Sequence, residues 1–496
     1  VDHRYAVRVP TSPSPSKLAE TLSGPLADLP NPLPLTPPKR ARGQAPIDAT
    51  VRPPGSKSIT NRALLLAALA GGESTLRRPL LDADDAQRML AALTQLGATF
   101  DTSDPDALAV RGTGGRWPIP APKPPAIPET VLDLNNAGTA TRFLTAAALV
   151  ADHPLVITGN QRMRERPIAE LTRALAELGA HVEHLESPDC PPIRITPPVG
   201  GILSSSTLTI GRTQSSQFIS ALLLVGGCLA SGLTLRLPDG VTSSSYVHMT
   251  LALLAHLGAP ARSAADLSVI RVDKPVPAFD LEIEPDASGA TCFHAAGAIL
   301  PGAGDPATVR VIGPHPDDSL QGDAHFPRVL EQMGCALVHG ATRQGDPVTT
   351  TRGPDHLKPV MIDMADMPDA VMALAAVAAF TPGTTIVRGV RTLRVKETDR
   401  IEALRTELAK IGVTLTPDLN GDDDALSITP PHDGSRLTLD LSEDAPPVAF
   451  DTYDDHRMAM SMALIALRRP NVSINDPGCV AKTYPTFWRD LAEIYR

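Results

Sequence analysis

At 496 residues the chain exceeds one domain at ~100–200 residues each, which excludes a peptide module or a small disulfide scaffold. Its 45 Lys and Arg stand against 55 Asp and Glu, a formal net charge of −10, and it carries only 9 Phe, 5 Tyr and 2 Trp. This balance argues against a nonspecific nucleic-acid binder, so any anion site must be local.

Residues 1–43 open with nine prolines in the first forty positions, both signs of charge and no apolar h-region, which predicts a disordered Pro-rich extension rather than a secretory signal. Next comes Pro53-Pro54-Gly55-Ser56-Lys57-Ser58, then Asn61-Arg62 and the apolar run ALLLAALA. A turn feeding a helix N-terminus supplies unpaired N–H groups and a positive dipole end, to which Lys57, Ser58 and Arg62 add donors. The spacing is not that of a Walker A loop, and taken alone the segment also fits an ordinary Ser-capped helix. The six prolines within 117–128 read as a surface loop.

A second helix opening, Asn135-Asn136-Ala137-Gly138, places a glycine where a ligand could approach the backbone, with Arg142 one turn further on. Arg162, Arg164 and Arg166 concentrate positive charge before the next helix. Gln214-Ser215-Ser216-Gln217 and Ser243-Ser244-Ser245-Tyr246 offer neutral donors, although helix capping explains them nearly as well. The chain divides near Glu284 and Pro285. Beyond it, Asp366 and Asp369 precede an apolar helix, followed by Arg394-Val395-Lys396-Glu397-Thr398-Asp399-Arg400, Asp454-Asp455-His456-Arg457 and Lys482. Asp369, Glu397, Asp455 and His456 are candidates for proton transfer. The motifs of zinc peptidases, acyl-serine enzymes and dinucleotide folds are absent. Five dispersed cysteines without a C-x-x-C pair predict no thiolate metal site and a reducing cytoplasm, and the longest apolar run, 370–380, is half the length of a membrane span of about twenty residues.

A helix ending in a Leu/Met/Ile-Gly turn recurs, with glycines at Gly97, Gly179, Gly258, Gly334 and Gly412, at intervals of 82, 79, 76 and 78 residues. A more apolar helix opens upstream near Ser58, Gly138, Ser215, Ser288, Met367 and Asp454, and a β-rich segment follows each. The expectation is an α/β (α+β) chain of six strand–helix–strand–helix–strand–strand units, three to a domain, around buried apolar helices.

The ordered set PGSKS, NNAGTATR, RERPI, SSQF, RVKETDR, DDHRMAM and AKT resembles the 5-enolpyruvylshikimate-3-phosphate synthase family over about residues 54–488. That resemblance implies two similar domains, each an inside-out α/β barrel of three βαβαββ repeats, with the chain crossing between them twice. The implied division is 56–284 for one domain, 44–55 with 285–496 for the other, and a cleft between them for the active site. The implied reaction transfers the carboxyvinyl group of phosphoenolpyruvate to the 5-hydroxyl of shikimate 3-phosphate and releases phosphate, through a noncovalent tetrahedral intermediate. It implies no cofactor and no metal, and small-molecule partners only, in a cytoplasmic monomer that binds neither nucleic acid nor membrane.

By the same resemblance, Lys57, Ser58, Arg62, Ser215, Ser216, Gln217, Ser243, Tyr246, Asp369, Thr392 and Lys396 are expected to bind shikimate 3-phosphate. Lys57, Gly138, Arg142, Arg166, Gln217, Arg400, Arg457 and Lys482 are expected around phosphoenolpyruvate, with Lys57, Asp369 and Glu397 catalytic. Two departures are Thr392, where many relatives have Asn, and Phe143, where some have Pro. The retained Gly138 implies sensitivity to glyphosate. The nearest rival, transfer to UDP-N-acetylglucosamine, is opposed by the lack of a cysteine before Cys190; the other is a noncatalytic anion- or RNA-binding module.

Overall fold

The computed structural model describes residues 13–38, 46–118, 129–199, 203, 205–300 and 307–496. They belong to two units: a central unit of Pro54–Asp286 with Asp318–Gly322, and a split unit of Val1–Pro53, Ala287–Asp317 and Asp323–Arg496. Within the central unit the two ends of its main segment pair, Ser56 N–H donating to Glu284 O (2.8 Å) and Asp286 N–H to Pro54 O (2.7 Å). The short return 318–322 is held there by the Glu284 carboxylate, which accepts from Ser319 Oγ (2.7 Å), Leu320 N (3.0 Å) and Gln321 Nε2 (3.0 Å).

One sheet pattern repeats. Thr130–Asp133 runs parallel to Leu155–Thr158, which is antiparallel to Ile193–Thr196, which in turn pairs antiparallel with His181–His184. The helix Gly138–Ala147 joins the first two strands, and Ala169–Glu177 lies between the second and third. The strands Thr207–Thr209, Leu233–Arg236, Val269–Val272 and Arg262–Ser263 repeat it, as do Met361–Asp363, Thr385–Arg388, Asp422–Thr429 and Thr414–Leu419.

In two further sheets the first strand comes from a distant part of the chain. Asp280–Glu282 lies beside Glu73–Arg77 in the central unit, and Ile47–Val51 beside Ala307–Ile312 in the split unit. The sixth sheet has three strands: Val448–Phe450 is parallel to Val472–Ile474, whose other edge is taken antiparallel by Leu33–Leu35.

The last pairing corrects the expectation of a disordered extension over 1–43. Pro15–Ser23 is a helix with Ser14 as N-cap, and it packs on Phe487–Ala492 with Leu18 and Leu22 buried. The prolines sit where regular structure tolerates them, Pro15 at the first helical turn and Pro34 in an edge strand, so composition alone misled. Residues 1–12 and 39–43 lie outside the described residues, as does 119–128 of the proline-rich stretch read as a surface loop. Trp117, at the start of that stretch, is instead fully buried, its Nε1 donating to Ala147 O at 2.9 Å.

Each unit has its own apolar core built on three helices. In the central unit these are Lys57–Leu69, Gly138–Ala147 and Ser216–Gly226; in the split unit, Ala287–Ile299, Val371–Ala378 and His456–Ala463. Every residue of Gly138–Ala147, Ala287–Ile299, Val371–Ala378 and His456–Ala463 is buried, and in Val371–Ala378 an unbroken run of Ala, Leu, Val and Met requires it. The five turn glycines all have φ between +81° and +101°, the left-handed conformation that ends a helix. Among the described residues no helix is long and apolar enough to cross a membrane.

Candidate active site

Five of the six buried helices carry expected site residues at or just before their N-termini, where backbone N–H groups lack intrahelical acceptors. Lys57 and Ser58 open the first, Gly138 the second, Ser216 and Gln217 the third, Asp369 precedes the fifth and Arg457 opens the sixth. At the fourth, the Ser288 hydroxyl donates to Asp323.

In the central unit, Lys57 Nζ lies 3.4 Å from Asp85 Oδ2, with both side chains largely buried. The other carboxylate oxygen, Asp85 Oδ1, is buried without a hydrogen-bond partner. Asp85 was not among the expected site residues, because Asp84-Asp85 reads as the acidic first turn of an amphipathic helix.

A second group gathers around Gly138. Arg166 Nη1 donates to Asn136 Oδ1 (3.3 Å), and Gln217 Nε2 donates to Thr139 Oγ1 (3.3 Å). A Cβ on Gly138 would stand 2.9 Å from both terminal nitrogens of Arg166, so the glycine is what lets that guanidinium lie against the helix start. Arg142 is 4% exposed, and its Nη1 donates to Gly138 O (3.3 Å).

Arg62, expected among the shikimate 3-phosphate ligands, lies inside the central unit. It is 2% exposed, donating from Nε to Thr250 Oγ1 (2.8 Å), from Nη1 to Ser58 O (2.9 Å), and from Nη2 to Ser220 Oγ (3.3 Å) and Tyr246 O (3.2 Å). Its guanidinium carbon lies 5.3 Å from the centre of the Phe143 ring, and burial pushes its pKa down to about 10. Phe143 leaves the helix Gly138–Ala147 unbroken. Ser215 caps the third helix through Gln217 N–H (3.3 Å), Ser216 is buried, and Ser243 takes a left-handed φ of +51° before the helix bearing Tyr246.

In the split unit, residues from four separated segments form one charged network. Arg400, 1% exposed, donates to Asp455 Oδ2 (2.8 Å) and Oδ1 (3.2 Å), to Asp369 Oδ1 (2.8 Å) and to Glu397 Oε2 (3.0 Å). Asp369 also meets Lys396 Nζ (3.3 Å) and Arg457 Nη2 (3.3 Å), and Lys482 Nζ approaches Glu397 Oε1 at 3.4 Å. Burial alone would lower the Arg400 pKa, but Asp455, Glu397 and Asp369 outweigh it and raise it. Four cations thus lie among three carboxylates, with Asp454 close enough to feel Lys482, and an arriving anion would find several fixed positive charges here. Asp455, a candidate only for proton transfer from sequence, proves to be the clamp on Arg400 Nε. Thr392 stands outside this network, its Oγ1 buried without a hydrogen-bond partner. Among the described residues no group of His, Cys, Asp and Glu is placed to hold a metal ion.

The EPSP synthase (3-phosphoshikimate 1-carboxyvinyltransferase) family model matches residues 41–491. The chain is 39% identical over 451 residues to a 3-phosphoshikimate 1-carboxyvinyltransferase of Erwinia tasmaniensis, covering 90% of this chain and 96% of that one. It is 39% identical over 444 residues to one of Colwellia psychrerythraea, covering 89% and 95%. Among solved structures, an EPSP synthase of Acinetobacter baumannii superposes with a TM-score of 0.67 at 23% identity, covering 91% of this chain and 96% of that one. The enolpyruvyl transferase NikO of Streptomyces tendae gives 0.62 at 18%, covering 91% and 95%. These two likenesses bear on the fold.

Proposed function

The chain belongs to the EPSP synthase family and transfers the enolpyruvyl group of phosphoenolpyruvate to shikimate 3-phosphate, and we propose that it does so with the two groups of residues described above. The observation that carries this assignment is the split-unit network of Asp369, Lys396, Glu397, Arg400, Asp455, Arg457 and Lys482. Both substrates are polyanions, and fixed cations in a water-poor site stabilise them far better than solvent does.

Shikimate 3-phosphate is held by Lys57, Ser58, Ser215, Ser216, Gln217, Ser243, Tyr246, Asp369 and Lys396. Its 5-hydroxyl oxygen bonds to C2 of phosphoenolpyruvate while Asp369 takes the hydroxyl proton and a proton is delivered to the methylene carbon. Glu397 and Lys57 supply that proton and remove one from the resulting methyl group as phosphate leaves, which restores the vinyl double bond. Gly138, Arg142, Arg166, Gln217, Arg400, Arg457 and Lys482 surround phosphoenolpyruvate. An arriving carboxylate or phosphate competes with Asp369 and Glu397 for the cations that now hold them, so substrate binding itself releases the two groups that move protons.

Arg62, bonded to Ser58 O, Thr250 Oγ1, Ser220 Oγ and Tyr246 O, braces the helix Ser244–His256 against the helix Lys57–Leu69. Six of the seven sheets among the described residues, three in each unit, support with the buried helices an inside-out barrel in each unit. The five free thiols support a reducing, cytoplasmic setting.

The test is phosphate release from phosphoenolpyruvate with shikimate 3-phosphate or UDP-N-acetylglucosamine as acceptor. Release with shikimate 3-phosphate alone, abolished in Lys57→Met, is expected; release with the nucleotide sugar, or none from folded protein, overturns the reading.

A further inference from the structure

Lys482 ends a six-residue 3-10 helix, Pro477–Lys482, a short element that cannot fix its own position. Both the buried helix His456–Ala463 and the N-terminal segment pack against it or its flanks. Before it, Val472–Ile474 pairs with Leu33–Leu35 in the register Leu33↔Ile474 and Leu35↔Val472. After it, Phe487–Ala492 carries the docked helix Pro15–Ser23, while the turn Leu26–Asp28 packs against Pro477–Lys482 itself. At the start of the 3-10 helix, Asp476 takes a left-handed φ of +49°, and its N–H donates to Asn31 Oδ1 at 2.9 Å. All of these N-terminal contacts come from residues before 41, where the family match begins.

We propose that residues 15–35 form a strap that sets the position of Lys482, with Asn31 as a positioning residue for phosphoenolpyruvate binding. Asn31 fixes the left-handed Asp476 by accepting its N–H, and so fixes where the 3-10 helix begins. The far end of that helix then delivers the Lys482 ammonium to within 3.4 Å of Glu397 Oε1. Removing the acceptor lets the backbone of 476–482 relax, and the ammonium loses its register with Glu397 and with the incoming anion. The proposal rests on the assignment of Lys482 to phosphoenolpyruvate.

The experiment compares the parent with Asn31→Ala and Asn31→Asp, the latter retaining an accepting oxygen. Asn31 is exposed, so both variants are expected to fold. For Asn31→Ala, KM for phosphoenolpyruvate should rise about 3- to 10-fold, the loss of one ordinary hydrogen bond, with kcat and KM for shikimate 3-phosphate within twofold. Asn31→Asp should restore KM to within twofold of the parent. A second readout needs no turnover: acetylation of Lys482 by acetic anhydride, followed by mass spectrometry, should be about 2- to 5-fold faster in Asn31→Ala. Parent-like KM values and parent-like acetylation in Asn31→Ala overturn the proposal, as does a uniform loss in both KM values and kcat that tracks a lower Tm. An inactive parent overturns the functional reading instead, and the acetylation rates still decide whether the strap positions Lys482.

Discussion

Replacing Gly138 by alanine should separate the two substrates. The new Cβ would stand 2.9 Å from Arg166 Nη1 and Nη2 and 3.1 Å from Cζ. Comfortable non-bonded contact begins near 3.5 Å, so the guanidinium must retreat by about 0.5 Å. It can do so because it is the far end of a flexible side chain, but its bond to Asn136 Oδ1 is already 3.3 Å long and will be lost. A hydrogen bond to a charged group contributes about 1.5–3 kcal/mol, and losing part of one through misplacement costs about 1 kcal/mol, or roughly fivefold in affinity. Folding should not suffer, since Gly→Ala in a helix is favourable by up to about 1 kcal/mol. The assay is phosphate release with each substrate varied in turn, beside a thermal melt. KM for phosphoenolpyruvate should rise about fivefold, with KM for shikimate 3-phosphate and Tm held. An unchanged KM for phosphoenolpyruvate in folded protein, or an equal rise for both substrates, would show that Arg166 does not hold phosphoenolpyruvate against the helix start.

Three further outcomes are expected. Arg400→Met strands Asp455 and Glu397 without their buried cation and should destabilise the protein by about 3–5 kcal/mol in urea titration; a loss under about 1 kcal/mol sinks the network as described. Burial, reinforced by His339, holds the His294 imidazole down to about 3, against about 6.5 in the unfolded chain. The unfolded state therefore binds the extra proton: the stabilisation is complete above pH ~6.5 and falls by up to ~1.4 kcal/mol per pH unit as pH drops towards 3. The stability gap between the parent and His294→Gln should accordingly narrow by about 2 kcal/mol from pH 7 to pH 5, and a gap indifferent to pH disproves the assignment. Glyphosate should raise the apparent KM for phosphoenolpyruvate without changing kcat, and inhibition that persists at saturating phosphoenolpyruvate contradicts a shared site.

What could be read from the sequence was local. The starts of the six buried helices and the turn glycines from Gly97 to Gly412 follow from composition and period, which depend on near neighbours. Strand partnership does not: nothing in Ile47–Val51 names Ala307–Ile312 as its neighbour, and Leu33–Leu35 is too short to carry a period-2 signal. At the site, Asp369, Lys396, Glu397, Arg400, Arg457 and Lys482 do converge. Asp85 was hidden by its resemblance to a helix-start acid, and the roles of Arg62 and Phe143 depend on a packing contact that residue identity leaves open.

The pairing of Leu33–Leu35 with Val472–Ile474, and of Ile47–Val51 with Ala307–Val311, also sets an order of events during synthesis. At ~5–20 residues per second, Leu33 emerges from the ribosome roughly 20–90 s before Ile474 is made. The continuous stretch Pro54–Asp286 can collapse on its own core in that interval, whereas the earlier strands must wait with their ladder edges open. The nascent chain therefore folds from its middle outward. The cell's holdase chaperones should meet it first at these N-terminal strands, and slowing translation between residues 300 and 474 should raise aggregation more than slowing it before residue 286.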